Sequence, residues 1–315
     1  MKNANWIHSK DDMGDGVLSY KKEFQTLLPV RSVILYISAR GVYEATLNGQ
    51  RIGDFILAPG WTSYQHRIQY QKYDITDLVS EENSLVVTVA PGWYKGMIAK
   101  WWCKFRDHVC AFIAKIEITY VDGTVENIYT DREWKAALSG YDFCEIYDGF
   151  IYDARRNPDF CLETEVDKNN SKEELIEQVG KKIIEHERFK PKEIIKTPKG
   201  ETVVDFGQNL AGYVEISLSA KAGDRVSLSF GEVLDQDGNF YNANYRGAKC
   251  QYVYICKDGQ QTFKPTLTFY GYRYIRVNEF PGEVGAENVT SIAVYSDLKR
   301  TGYWMCRFCP ALTIP

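Results

Sequence analysis

Histidine is scarce in this chain, and long apolar runs are missing altogether. The four histidines, His8, His66, His108 and His186, stand far apart in the 315 residues. None forms a recognisable pair, so a nucleophile activated by imidazole is not expected. No stretch of about 18 apolar residues occurs, so no membrane-spanning segment is expected. Basic excess is missing too: 38 Lys and Arg against 42 Asp and Glu leave a net charge of −4. Without a basic footprint, nucleic acid is not an expected partner. The N-terminal MKNANWIHSKDDMGDG has neither an apolar core region nor a cleavage site, which gives an expectation of cytoplasmic location. The eight cysteines, Cys103, Cys110, Cys144, Cys161, Cys250, Cys256, Cys306 and Cys309, form no dense framework, and reduced thiols are expected in such a compartment. Cys306 and Cys309 make a C-x-x-C, but a tetrahedral zinc site needs a further pair of ligands that the sequence does not offer. The signatures G-x-S-x-G, H-E-x-x-H, G-x-x-x-x-G-K-[ST] and G-x-G-x-x-G are all absent.

Aromatic residues are plentiful, at 14% with 22 Tyr and 7 Trp, and they favour strands over helices. SVILYIS, VYEATLNGQRIG, HRIQYQKYDI, SLVVTVAPGWY, CAFIAKIEITYVDGTVENIYT and EWKAALS are short alternating or apolar runs separated by turn residues. Asn48-Gly49 and Asp122-Gly123 are the dipeptides that type I′ hairpins prefer. This pattern predicts an all-β chain, and the length suits two β-sandwich domains of roughly 130 to 160 residues each. The first is expected over 1–165. A charged, aromatic-poor stretch then predicts a linker over 166–198, within which KEELIEQVGKKIIEHE reads as an amphipathic helix. Strands resume in a second sandwich over 199–300, followed by an out-of-pattern tail, 301–315.

Catalytic machinery is thin. LDQDGNFYN imitates the first ligands of a calcium loop with Asp235, Asp237 and Asn239, but Arg246 stands where the bidentate Glu belongs, and a hairpin turn is the better reading. The aromatics are more informative. Trp61 and Tyr64 lie in APGWTSY, Trp93 and Tyr94 in APGWYKG, and Trp101 and Trp102 in AKWWCKF. Sugars pack C–H faces on such rings while polar side chains take their hydroxyls; equally, these residues can cap the end of a sandwich core. In YDGFIYDARRNPDF, Asp148, Tyr152, Asp153, Arg155 and Arg156 suit a sugar or calcium site, or a local ion-pair network that anchors the following segment.

Several stretches resemble the non-catalytic N-terminal part of bacterial α-L-rhamnosidases of glycoside hydrolase family 78. YEATLNGQRIGDFILAPGWTSYQHRIQYQKYDITDLV, with GWYKG and YDGFIYDAR, is similar to that family's N-terminal domain. VVDFGQNLAGYVEI, GEVLDQDGNFY, RGAKCQYVY and LTFYGYRYIRV are similar to its next β-sandwich, up to SDLKRTGYW. The resemblance spans about residues 20 to 304. It implies tandem jelly-roll, galactose-binding-like sandwiches, some of which in the family bind L-rhamnose with calcium. Two departures stand out. Phe150 occupies a position where the family usually has Glu. In addition, RFCPALTIP replaces the opening of the (α/α)6 barrel that carries the family's catalytic carboxylates.

The expectation is therefore an accessory, carbohydrate-associated part of a rhamnosidase, without catalytic residues of its own and with L-rhamnose or a rhamnose-containing glycan as partner. Calcium is the one cofactor that the resemblance implies; its ligands are unknown. The alternatives are a rhamnosidase completed by a separately supplied barrel, or a scaffold that packs on such a barrel or on itself through an exposed apolar patch near the second sandwich.

Overall fold

The computed structural model describes residues 1–97, 108–172, 174–299 and 301–302. Alternating burial is clear where the sequence alternates: Glu82–Ala90 and Arg225–Gly231 each turn every second residue inward, as half-buried strands do. Strands β1 (Ile7–Ser9), β2 (Leu18–Gln25), β3 (Val30–Arg40), β4 (Val42–Leu47), β5 (Gln50–Arg51), β6 (Ile68–Asp74), β7 (Glu82–Ala90), β8 (Ala111–Tyr120), β9 (Val125–Tyr129) and β10 (Lys135–Leu138) enter one hydrogen-bonded network. The chain then crosses over: β11 (Tyr141–Glu145) and β12 (Gly149–Asp153) belong to a second network. It returns to the first with β13 (Leu162–Val166) and β14 (Leu175–Glu177). The second network then receives β15 (Ile183–Phe189), β16 (Glu193–Lys196), β17 (Thr202–Ala220) and β18 (Arg225–Gly231). A separate small hairpin, β19 (Val233–Leu234) and β20 (Phe240–Tyr241), precedes β21 (Gln251–Ile255), β22 (Gly259–Phe263), β23 (Tyr270–Glu279) and β24 (Val289–Ser296), which complete the second network.

The first network runs β14-β6-β3-β8-β1-β13-β10-β2-β7-β4-β5, and the second β11-β12-β21-β18-β23-β17-β24-β15. Each curls so that its two wings share a core. In the first, Leu35 and Ile37 of β3 and Ile116 of β8 meet Tyr20 of β2, Val87 of β7 and Leu47 of β4 in one buried cluster. In the second, Phe230, Tyr252, Tyr272, Val214 and Ile292 do the same. The chain is thus all-β, a tandem of β-sandwiches.

Both expected hairpins form, but only one has the expected turn. Asn48 and Gly49 adopt φ of 53° and 79°, the paired positive values of a type I′ turn, and Leu47 faces Gln50. At the second, only Gly123 has positive φ. The Gly123 amide donates to the Tyr120 carbonyl and the Tyr120 amide to the Thr124 carbonyl, which is the three-residue loop closed by a glycine bulge. The Asp122 carboxylate accepts from the amide and hydroxyl of Thr124 and holds Asp122 in its own turn, so it need not enter the left-handed region.

The helix expected in KEELIEQVGKKIIEHE is replaced by two strands serving different networks. β14 runs parallel to β6, pairing Leu175 with Ile68, and β15 runs antiparallel to β24. Ile183 touches the cores of both networks, and its carbonyl accepts from the Ile56 amide. Tertiary partners override a helical periodicity this modest. The 166–198 stretch, expected as a linker, therefore contributes strands β14, β15 and β16.

The crossing hairpin β11–β12 explains Phe150. Gly149, at φ 89°, lets the hairpin close against β21: a Cβ there would sit 2.0 Å from the Gln251 carbonyl oxygen. Phe150 is fully buried, with ring centroids 4.5 Å from Tyr252 and 5.7 Å from Phe263. A carboxylate here would be desolvated among rings. Phe150→Ala is expected to lower the unfolding free energy by about 3–5 kcal/mol in a denaturant titration, and Phe150→Glu by at least as much.

Acid should also weaken this sandwich. Burial alone would raise the Asp205 carboxyl, but the Arg273 fork, at 2.8 Å to each oxygen, with the Gly207 amide and Lys192, holds it below its ordinary range. Glu201 is lowered likewise, burial being outweighed by the Phe240 amide and Arg276. A carboxyl lowered in the folded state contributes stability above its unfolded pKa, and that contribution is lost as pH falls through the folded value. Thermal midpoints are therefore expected to decline below about pH 4, and Arg273→Leu should make that decline shallower.

Candidate functional site

Two loops rise from β4 and its neighbours. The Tyr43 amide donates to the Ala58 carbonyl at 2.7 Å and anchors the segment that carries Trp61. Val42 pairs with Ala90, from which the Pro91–Met97 loop carries Trp93. The two indoles lie parallel, 6° apart with centroids at 6.3 Å, and Trp93 also meets Phe269 at 6.3 Å. Trp61 is 65% exposed. The loops thus present an open aromatic surface backed by Phe269, within the centroid range of offset ring pairs.

Tyr64 and Tyr94 belong to the same two segments of chain, with Tyr64 packed against the small cluster of Trp6, Ile68 and Ala111. Their rings meet edge to face at 5.2 Å, and the Tyr94 hydroxyl shares a 3.1 Å hydrogen bond with His108 Nδ1. Burial pushes the Tyr94 phenol up to about 12, although Arg40 opposes the shift. The contact between the two tyrosines ties the two loops to each other.

The underside of the Pro91–Met97 loop rests on a buried carboxylate. Glu145, 4% exposed, accepts the Met97 amide at 2.7 Å on Oε2 and the Asp148 amide at 2.8 Å on Oε1. Its carbonyl accepts the Thr268 hydroxyl at 3.0 Å, one residue before Phe269. Only glycine fits at position 96: φ is 109°, and a Cβ would lie 2.2 Å from Glu145 Oε2. Glu145 therefore joins two of the segments that build the aromatic surface, the loop that carries Trp93 and the one that carries Phe269. Burial raises its carboxyl above the ordinary range, and the two amides counter only part of this.

The remaining sequence candidates are spread along β12. Asp148 is buried; it accepts the Lys249 amide at 3.1 Å and pairs with the Lys249 ammonium at 3.6 Å. Tyr152 packs among Tyr141, Tyr254 and Phe263, with centroids at 4.7, 5.8 and 4.4 Å. Asp153 receives both arms of Arg155, at 2.9 and 2.8 Å; this hydrogen-bonded pair lowers its pKa. Arg156 pairs with Asp142. Five residues of strand separate Asp148 from Asp153, about 16 Å. The structure therefore brings Trp61, Trp93 and Asp148 to one end, pairs Tyr64 with Tyr94, and leaves Asp153 and Arg155 at the other end. Trp101, Trp102 and the Cys306–Cys309 pair lie outside the described residues. The five described cysteines are free thiols, and burial raises those of Cys110 and Cys250 to about 11. Among the described residues, no three His, Cys, Asp or Glu side chains gather as a metal site. The Asp235 carboxylate instead accepts the Asp237 and Asn239 amides within a hairpin turn.

Glu145, Thr268 and Phe269 went unmarked in the sequence reading. Phe269 lies inside LTFYGYRYIRV, but nothing local ties it to Trp93, more than 170 positions away. Glu145 looks like any strand-end acid until its burial is seen.

Comparison with known proteins gives consistent results. Residues 29–196 match the α-L-rhamnosidase N-terminal domain, and residues 195–295 the bacterial α-L-rhamnosidase concanavalin-like domain. An α-L-rhamnosidase of Streptomyces avermitilis is 36% identical over 274 residues, which is 83% of this chain and 27% of that protein. Among solved structures, the Aspergillus terreus α-L-rhamnosidase superposes with a TM-score of 0.91 at 32% identity, covering 97% of this chain and 37% of that one. The Streptomyces avermitilis enzyme in complex with L-rhamnose gives 0.82 at 34% identity, covering 90% and 29%. The chain spans only about a quarter to a third of the length of the curated relatives it matches.

Removing the carboxylate that ties the 91–97 loop to the Asp148 turn has a local signature. Glu145→Ala should cost about 2–3 kcal/mol, because two buried amides lose a charged acceptor. It should also speed hydrogen exchange at the Met97 and Asp148 amides more than at amides of the β3–β8 pair.

Proposed function

Because the chain belongs to the bacterial α-L-rhamnosidase family, we propose that it is the accessory, carbohydrate-associated β-sandwich part of such an enzyme, hydrolyses nothing by itself, and receives a rhamnosyl unit on its aromatic surface. The observation that carries this reading is the parallel Trp61–Trp93 pair, in which Trp61 is open to solvent and Trp93 half-buried against the core. L-Rhamnose is a 6-deoxy sugar, so its methyl group and ring C–H faces suit an indole surface while its hydroxyls stay hydrated. The Streptomyces avermitilis relative, crystallised with L-rhamnose, makes that sugar the natural ligand to test.

Hydrolysis with inversion needs an acid that can protonate the leaving oxygen and a base across the ring. Glu145 has the raised pKa of an acid, but both its oxygens face backbone amides in a buried position. Asp148 is held by Lys249. These arrangements support a binding role over a chemical one. A scaffold reading also has an observation behind it: Tyr295 and Leu298, at and just beyond the end of β24, are 45% and 71% exposed and suit packing against another protein surface.

Calorimetric titration of L-rhamnose, with calcium and then with chelator, tests the proposal. Saturable heat is expected, weakened about tenfold by Trp61→Ala or Trp93→Ala; its loss in chelator would assign calcium a part. No heat in either condition overturns the sugar reading in favour of the scaffold. Release of nitrophenol from an aryl α-L-rhamnoside by the purified chain overturns the non-catalytic one.

A further inference from the structure

Gly271 is a glycine that the fold does not require. It is the second residue of β23, lies exposed, and pairs in register with the equally exposed Ala211 of β17. Its φ lies outside the left-handed region, and a Cβ there would meet nothing closer than Glu232 Oε1 at 3.9 Å. Glycine weakens a strand; here it lies one pair along from the irregularity in the β17–β23 register, with no tight packing around it, and leaves room for another group to come close to the backbone. Opposite Ala211, it leaves a strip of bare sheet.

Glu232 borders this strip in an unusual way. Its two oxygens accept the side-chain amides of Asn209 at 3.3 Å and Asn244 at 3.0 Å, and among the described residues no Lys or Arg pairs with it. The nearby carboxylates Asp205 and Glu201 are instead neutralised by Arg273 and Arg276. A carboxylate has about four acceptor positions, so two remain after the amides are counted. The Tyr245 hydroxyl donates to the Gly271 carbonyl at 2.5 Å and seals the strip's edge. On the other side, Phe269 lies two residues from Gly271, about 7 Å along the chain, and its ring backs Trp93. The aromatic surface and the amide-flanked carboxylate are therefore neighbours, with bare backbone between them.

We infer that Gly271 and Ala211 floor a second sugar subsite, in which Glu232, steadied by Asn209 and Asn244, accepts hydroxyl groups of the unit next to the rhamnosyl ring. The ligand class is a neutral glycan ending in α-L-rhamnose. This inference rests on the carbohydrate reading above and extends it from one ring to two. A carboxylate held by neutral amides accepts hydroxyl donors without bringing a fixed cation into the site, whereas an arginine-paired one has its charge already met.

The test compares methyl α-L-rhamnoside with an α-L-rhamnosyl-glucose disaccharide by calorimetry on the full chain. The disaccharide is expected to bind about tenfold more tightly, the effect of a hydrogen bond to a charged acceptor. Gly271→Leu, which fills the strip, and Glu232→Ala should each abolish that advantage while leaving the monosaccharide affinity unchanged. Glu232→Gln, which conserves shape, guards against a folding defect and should reduce the advantage. Binding of the monosaccharide with no gain for the disaccharide, or a gain that survives all three substitutions, overturns the second subsite alone. Binding of neither ligand overturns the aromatic surface as a sugar site, and this inference with it.

Discussion

The parallel pairing of β12 with β21 is the constraint on which the rest of the structure depends. It draws a hairpin from the first half of the chain into the second network, matching Gly149 with Gln251 through Asp153 with Ile255. Phe150 then completes a core of Tyr252, Phe263 and Tyr141, and Val17, Val42, Ile56, Leu57 and Ala90 from the first half join the same cluster. Parallel strands need a long crossover connection, and here the chain runs through some 95 residues between the two partners. The second sandwich therefore has no core made only of its own continuous stretch of sequence.

The same crossing sets the aromatic surface. Because β11 ends beside the Pro91–Met97 loop, Glu145 can reach the Met97 amide, and because β23 begins on the other side, Thr268 can reach Glu145. A buried carboxylate costs desolvation unless its lone pairs are met by donors. Two backbone amides, of Met97 and Asp148, meet the Glu145 carboxylate, and the Thr268 hydroxyl meets its backbone carbonyl. The half-buried Trp93 ring, on which the exposed Trp61 stacks, is thus carried by a loop that Glu145 holds in place.

A division of labour follows among the carboxylates. Asp205, Glu201, Glu185 and Asp153 are locked by arginine or lysine and serve the fold. Glu145 is locked by backbone amides and serves the loops. Glu232, bounded by amides and bordering bare sheet, differs from both groups, and its setting suits recognition of neutral hydroxyls.

What the sequence determined by itself was local and periodic. Alternating apolar residues specify strands, Asn48-Gly49 specifies a hairpin, and aromatic abundance specifies an all-β chain; each depends on neighbours within a few residues, where backbone sterics and burial suffice. The family-like motifs marked Trp61, Trp93 and the Asp148 turn as worth following. Tertiary structure decided whatever depends on partners distant in sequence. Leu175 and Ile183 read as one helical face until β6 and β24 claim them separately as strands. Phe150 reads as a missing carboxylate until Tyr252 and Phe263 close over it. Glu145 and Phe269 carry no local mark at all, because burial and convergence are properties of the packed chain. Periodicity encodes which face of an element is apolar, but not which other element will cover it.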